Sequence, residues 1–316
     1  MERRVHFCPS GHGSYATDAE LCVDCGGPLV PDRRGDTIGD GWVLEQLIGL
    51  GGMRCSVWEG TRDDGSVAAI KVAETDLEAQ EARRLIHSAS LVQALVHPNI
   101  VRIYSYGETD RGEAHVVMEL LRGRTLRSML SQRSVLSSAT AVHVTRQVLA
   151  ALSYVHERGL VHRDVKPGNV HLAHGGGDPW EVRLIDFGIA KQITAGAPNR
   201  LDLAAETPGT YGRIVGTPEY MAPEQVLGAH VDARADLYAV GVMLFRLVTG
   251  ELPFIGGDRQ DLYEQQLRRL PPYPRAPAGH PPLPFALEAA IVTALAKQPA
   301  ERFQTAAAFL AALESM

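Results

Sequence analysis

The sequence predicts an α+β fold of two lobes, β-rich toward the amino terminus and helical beyond. Three observations predict it. Short apolar runs with strand-like texture follow one another between Trp42 and Met118. After Gly123 apolar residues recur at helical spacing instead. Residues 1–36 share neither texture, being rich in Gly, Pro and Cys with no long periodic run.

Taken in order, residues 1–36 read as a small knuckle that ends in the linker Pro31–Asp36. Trp42–Ile48 and Val57–Glu59 flank a glycine-rich turn, and Val67–Ala73 is an apolar run suited to a strand. Asp76–Leu95, rich in Ala, Leu, Glu and Arg, reads as a helix. Ile100–Tyr106 and Ala114–Met118 return to strand texture. Thr140–Arg158 alternates apolar and polar residues at helical spacing and stops at Gly159. Asp236–Thr249 is a more apolar helix, hence a buried one, ending at Gly250. Pro271–Pro284 is a proline-rich surface loop, and Leu287–Leu313 is helical again. There are no internal repeats.

The chain has 316 residues, 45% of them hydrophobic, which suffices for a sizeable core. A net charge of −6 gives no footprint for nucleic acid. The start, MERRVHFCPS, lacks the apolar stretch of a signal peptide. The most apolar late stretch, Leu237–Thr249, contains Arg246 and is too short to span a bilayer. A cytoplasmic protein without a membrane span is expected. Three of the four cysteines, Cys8, Cys22 and Cys25, crowd the amino terminus, a metal-site pattern more than a disulfide framework.

The chemistry concentrates in His162-Arg163-Asp164-Val165-Lys166-Pro167-Gly168-Asn169, followed by Asp186-Phe187-Gly188 and preceded by Ala69-Ile70-Lys71. Phosphoryl transfer asks mainly for positioning and charge neutralisation, and these residue types supply both. A strand-end lysine offers a compact positive charge for phosphates. Asn169 and Asp186 offer oxygen ligands for a hard divalent cation.

Jointly, and in this order, the segments resemble the eukaryotic-like (Hanks-type) Ser/Thr protein kinases of bacteria, from about residue 41 to the end. The resemblance implies a bilobal protein kinase fold over 37–316, with an N-lobe at about 41–121 and a C-lobe at about 122–316. It implies transfer of the γ-phosphoryl group of ATP, with Mg²⁺ or Mn²⁺, to Ser/Thr hydroxyls of protein substrates. Lys71 would hold the α/β-phosphates and Asp164 would orient the acceptor hydroxyl and take its proton. Lys166 would reach the transferring phosphate, and Asn169 and Asp186 would hold the metal. His162 and Phe187 would pack internally.

The glycine-rich loop is Ile48-Gly49-Leu50-Gly51-Gly52-Met53-Arg54-Cys55-Ser56-Val57, where glycines let backbone N–H groups approach phosphates. It departs from the family pattern, with Arg54-Cys55 where a third glycine is expected. By the resemblance, Val57 and Ala69 cover the adenine and Met118 is the gatekeeper. The backbone of Glu119 and Leu121 meets the base edge. His171 falls at the floor of the base, unless the register shifts and Val170 or Leu172 packs there. Cys55 is a packed strand residue or, next to the phosphates, a redox-sensitive one.

The family pairs its strand lysine with a glutamate on the next helix. Spacing back from His97-Pro98-Asn99 lands near Ser88, and the nearest upstream acid is Glu81, roughly 10 Å away along a helix axis. Either Glu81 reaches Lys71 or the pair is missing at rest; Glu78 is a poorer candidate.

The segment between Asp186 and Glu224 carries Thr194, Thr207, Thr210 and Tyr211. By the resemblance, Arg163 beside Asp164 grips a phosphate on this segment, placed by autophosphorylation on Thr207 or Thr210, with a homodimer as the possible vehicle. Thr217 is expected against Asp164 and Lys166, Glu224 paired with Arg302, and Asp236 tethering the catalytic loop. Cys8, His12, Cys22 and Cys25 form a set suited to tetrahedral Zn²⁺ that resembles a zinc-ribbon knuckle, with His6 competing for the place of His12. Two rival functions stand beside the kinase: a nucleotide-binding pseudokinase scaffold and a zinc-dependent adaptor.

Overall fold

The computed structural model describes residues 6–8, 14–15, 21–26, 29–51, 55–73, 79–173, 180–187, 191–192 and 217–314. Two compact units form: Met1–Ala94 with Arg102–Leu121, and Leu95–Val101 with Arg122–Met316.

The first unit carries β1 (His6–Phe7), β2 (Ser14–Tyr15), β3 (Val30–Pro31), β4 (Thr37–Ile38), β5 (Trp42–Gly51), β6 (Cys55–Thr61), β7 (Val67–Ala73), α1 (Ala79–Gln93), β8 (Ile103–Glu108) and β9 (Ala114–Met118). Strands β4 to β9 make one antiparallel sheet in the order β4-β5-β6-β7-β9-β8. The apolar run Val67–Ala73 becomes the inner strand β7, since all of it but Val67 is buried. One face of the sheet packs Ile38, Trp42, Leu44, Trp58, Ile70, Val72 and Val117 into a core. Against the other face, α1 sets Ala82, Leu85 and Ala89 on Cys55, Ala73, Ala114 and Val116. Cys55 is therefore a core side chain.

The knuckle forms its own sheet, β2-β1-β3. Pro31–Asp36 is not the loose linker that its polar composition suggests. Val30–Pro31 pairs with β1, and the buried Arg33 places Nη2 2.6 Å from Glu113 Oε2 and Nε 3.2 Å from Asp36 Oδ2. The charges that look solvated in the sequence are paired inside, with a partner 80 residues away.

The second unit carries β10 (Gly123–Thr125), α2 (Leu126–Gln132), α3 (Ser138–His156), β11 (Leu160–Val161), β12 (Val170–Ala173), β13 (Glu181–Leu184), β14 (Lys191–Gln192), α4 (Pro223–Val226), α5 (Ala233–Thr249), α6 (Arg259–Arg268), α7 (Phe285–Ala294) and α8 (Ala306–Glu314). Helix α3 starts on Ser137, whose side chain accepts from the Thr140 N–H. Helix α5 is buried nearly all round, as its largely apolar texture requires. Asp232 caps its start, and Gly250, at φ +83°, closes it in a conformation that costs glycine little.

The single run expected over Leu287–Leu313 is two helices. Between α7 and α8, Pro299 opens a 3₁₀ turn and Arg302 dives into the core. Its guanidinium makes two bonds to the Glu224 carboxylate, at 2.7 and 2.8 Å, a demand that a continuous helix could not meet. Among the described residues, no helix is long and apolar enough to cross a membrane.

Candidate active site

Strand β11 delivers the chain into His162-Arg163-Asp164. Arg163 sits at φ +67°, a conformation rare for a residue with a side chain. A buried carboxylate holds it there. Asp236, from the first turn of α5, accepts from the His162 N–H at 2.9 Å and the Arg163 N–H at 2.7 Å, and meets His156 Nε2 at 2.8 Å. Burial pushes the Asp236 carboxyl up, but the His156 bond, the neighbouring histidines and the backbone donor outweigh it and hold it below the ordinary value. His162 is fully buried with its ring 4.5 Å from that of Phe187, which makes it a packing group, and burial lowers its pKa.

Asp164 projects from this braced loop. Its Oδ2 lies 2.6 Å from Lys166 Nζ and accepts from Asn169 Nδ2 at 2.9 Å. The same amide nitrogen donates to the Asp164 carbonyl at 2.8 Å and reaches the Asp186 carbonyl at 3.3 Å. Asn169 therefore joins the Asp164 loop to the Asp186 loop. Its nitrogen is committed inward, so the amide oxygen is the atom that a cation would meet. Asp186 has φ +51° and precedes the buried Phe187. Neutral amide oxygen and carboxylate form a donor set that suits Mg²⁺.

The Arg163 side chain has Nε and Nη2 buried without a hydrogen-bond partner among the described residues. Burial lowers its pKa and the Asp236 charge opposes the shift; a guanidinium stays charged regardless. Thr217 lines a small cavity with Arg163, Asp164, Val165, Tyr220 and Met221. Thr194, Thr207, Thr210 and Tyr211 lie outside the described residues.

In β12, Val170 and Leu172 point into the core, and His171 between them faces the opposite side of the strand, partly exposed. Alternation along the strand thus excludes Val170 and Leu172 from the outer face.

The first unit holds the remaining sequence-predicted residues. Lys71 is buried in β7, opposite Val57 on one side and Val116 on the other. A Cβ on Gly51 would come within 3.1 Å of Lys71 Cε, so glycine there lets the end of β5 lie close over the lysine stem. Ile48 and Leu50 are exposed on β5, with Gly49 between them; Gly52 lies outside the described residues. Ala69 pairs with Met118, and the Glu119 N–H donates to the Arg102 carbonyl at 2.8 Å. Leu121 is partly buried. Glu81 sits in the first turn of α1 and Ser88 is buried two turns on; Glu78 lies outside the described residues.

The Sγ atoms of Cys8, Cys22 and Cys25 lie within 4.8 Å of one another, with Cys8 and Cys25 3.6 Å apart. Thiolates bound at about 2.3 Å to a tetrahedral zinc sit roughly 3.8 Å apart, so the cluster fits that ion. Gly26, at φ +66°, closes the turn through a 2.8 Å bond to the Cys22 carbonyl. His12 lies outside the described residues, and His6 is partly buried in β1.

Residues 42–309 match the family model for the protein kinase domain. The chain belongs to the protein kinase family. Serine/threonine-protein kinase Pkn1 of Myxococcus xanthus is 39% identical over 295 residues, covering 92% of this kinase chain and 40% of the relative. Serine/threonine-protein kinase pkn3 of the same organism is 36% identical over 291 residues, covering 92% and 52%. PknB of Mycobacterium tuberculosis is 34% identical over 276 residues, covering 85% and 42%. The chain thus spans about half the length, or less, of these curated relatives.

Two residues that hold the kinase loops escape the sequence reading. Gln225 donates to the Arg163 carbonyl at 3.2 Å and accepts from the Ala222 N–H at 2.9 Å. His156 closes the Asp236 cluster from the end of α3. The only sequence signal for Gln225 is its place as the third residue of a Pro-started turn, and His156 has none, since its partner lies 80 residues on.

Proposed function

We propose that the chain phosphorylates Ser/Thr hydroxyls of proteins with ATP. The observation that carries this reading is the Asp164 carboxylate held jointly by Lys166 and Asn169. An acceptor hydroxyl gives its proton to Asp164 as its oxygen bonds to the γ-phosphorus; the bond from that phosphorus to the β–γ bridging oxygen breaks, and ADP leaves. Lys166 balances charge on the transferring group. Asn169 and Asp186 hold Mg²⁺ (or Mn²⁺), which when bound neutralises phosphate charge. Lys71 carries the α/β-phosphates, with Glu81 as its candidate partner. The glycine-rich residues Gly49, Gly51 and Gly52 cradle phosphates. Ile48, Leu50, Val57, Ala69, Met118 and Leu121, the backbone of Glu119, and His171 serve the base. Incubation with labelled ATP, Mg²⁺ and a generic acceptor protein tests the reading: wild type labels the acceptor and Asp186→Ala does not. Equal labelling by both would remove the role given to Asp186.

The half-buried Arg163, with Nε and Nη2 lacking hydrogen-bond partners among the described residues, supports autophosphorylation at Thr207 or Thr210, with the phosphate gripped by Arg163. A transient homodimer would bring one segment to another copy's site. Mass spectrometry after incubation with ATP should find phosphate on one of the two threonines; an unmodified segment in an active preparation would contradict it. Protein substrates and a cytoplasmic setting complete the reading, and a net charge of −6 favours no nucleic acid.

Cys8, Cys22 and Cys25 hold Zn²⁺, with His12 as fourth ligand and His6 as its competitor. Metal analysis should find about one zinc per chain, lost on Cys22→Ser or Cys25→Ser. Zinc absent from the wild type at stoichiometric level would end this assignment.

A further inference from the structure

Phe7 immediately precedes Cys8. Its ring meets Trp58 edge-on, with centroids 6.1 Å apart and planes at 74°. Trp58 is fully buried in β6, and its indole N–H donates to Ser56 Oγ at 2.8 Å. Ser56 in turn opposes Leu50 of β5 and Val72 of β7. Its neighbour Val57 opposes Gly49 and Lys71. One packed line therefore runs from a cysteine of the thiolate cluster to the strand pair that carries the glycine-rich turn. The knuckle has a second hold on the same sheet. Phe7 pairs with Val30, and from β3 the chain runs to Arg33, locked to Glu113 at the start of β9. A knuckle gripped at two places transmits its own ordering rather than absorbing it.

We infer that Phe7 and Trp58 are positioning residues coupling the Cys8/Cys22/Cys25 centre to the glycine-rich strands, so that a metal on the thiolates sets the affinity for nucleotide. This rests on the kinase and zinc readings above. Three cysteines and a few short strands bury too little to order themselves without a metal. When they loosen, Phe7 leaves the edge of Trp58, and the Ser56 end of β6 loses its brace. The aromatic contact is of the size that shifts a binding constant about three- to tenfold.

The test measures Mg²⁺–ATP dissociation constants by titration calorimetry on the full chain loaded with Zn²⁺, then after chelation. Wild type, Phe7→Ala, Phe7→Tyr and Ser56→Ala are compared. Wild type should lose about three- to tenfold in affinity on chelation. Phe7→Ala should bind as weakly as stripped wild type and ignore the chelator, whereas Phe7→Tyr, which keeps an aromatic edge, should still respond. A residue that merely fills space would change melting temperature without abolishing that response. Folded Phe7→Ala with wild-type affinity, or with an undiminished response to chelation, would overturn the inference. Should Phe7→Ala not fold, Ser56→Ala decides, because it removes only the bond beneath Trp58: wild-type affinity and response there would overturn it. The readout is binding, so a chain that binds ATP tightly but transfers nothing contradicts the kinase reading and not this one. A chain that takes up no zinc overturns the zinc reading and this inference with it.

Discussion

Asp164→Asn should lower the rate of phosphoryl transfer by about a thousandfold while leaving the protein folded. The substitution is isosteric, so the bond from Asn169 Nδ2, 2.9 Å long in the wild type, can persist on the amide oxygen. Lys166 Nζ, 2.6 Å from that same Oδ2, keeps its contact with it. The other oxygen becomes an NH₂ group, a donor where the wild type has an acceptor, and no base remains for the acceptor proton. Steady-state kinetics should show the loss in kcat, with the KM for ATP changed little, because Asp164 acts on the hydroxyl and not on the nucleotide. A variant within tenfold of wild-type kcat would show that Asp164 is not the proton acceptor.

Asp236→Ala should cost about 3–5 kcal/mol of stability and nearly all activity. It removes the acceptor of two backbone N–H groups and of His156, all at 2.9 Å or less. An orphaned buried donor costs about 1–3 kcal/mol. Arg163 also loses the N–H bond that offsets the cost of its φ of +67°, about 1–3 kcal/mol. Thermal unfolding should begin roughly 5–15 °C lower. The pH dependence carries a matching sign. The folded-state pKa of Asp236 lies below its ordinary value of 3.8, so its stabilisation is complete above that pH and is lost as pH falls further, through the folded value. The wild type should therefore lose stability in strong acid more steeply than Asp236→Ala. Equal melting temperatures at neutral pH would show that the loop is braced some other way.

Elements whose signal is local were legible in the sequence. Val67–Ala73 is apolar but for Lys71 because it lies inside a sheet, and α5 is mostly apolar because it is enclosed, so each carries its own mark. Lys71, Asp164, Asn169 and Asp186 are candidates the sequence offers because phosphoryl transfer asks for those residue types, and the structure brings Asp164, Asn169 and Asp186 together. Pairings across long separations were harder to read. The Arg33–Glu113 pair hides inside a stretch of linker composition, whereas Pro299 does mark the break before Arg302, a local signal masked by the helical texture on either side. Gln225 acts on the backbone of another segment and His156 on a carboxylate 80 residues away, and neither leaves a residue pattern to read. Glu224 with Arg302 and Asp236 with the catalytic loop were legible only through the family resemblance. Alternation in β12 separates His171 from Val170 and Leu172, a register that the sequence left open.

The central claim is that Asp164, braced by Lys166 and Asn169, receives the proton of a protein hydroxyl as the phosphoryl group moves. Phosphoamino-acid analysis of an acceptor protein, after incubation of the wild type with labelled ATP and Mg²⁺, tests it most directly. The account predicts label on serine or threonine, and none when Asp164→Asn replaces the wild type. A wild-type chain that binds Mg²⁺–ATP yet leaves every hydroxyl unlabelled would contradict it and favour a nucleotide-binding scaffold.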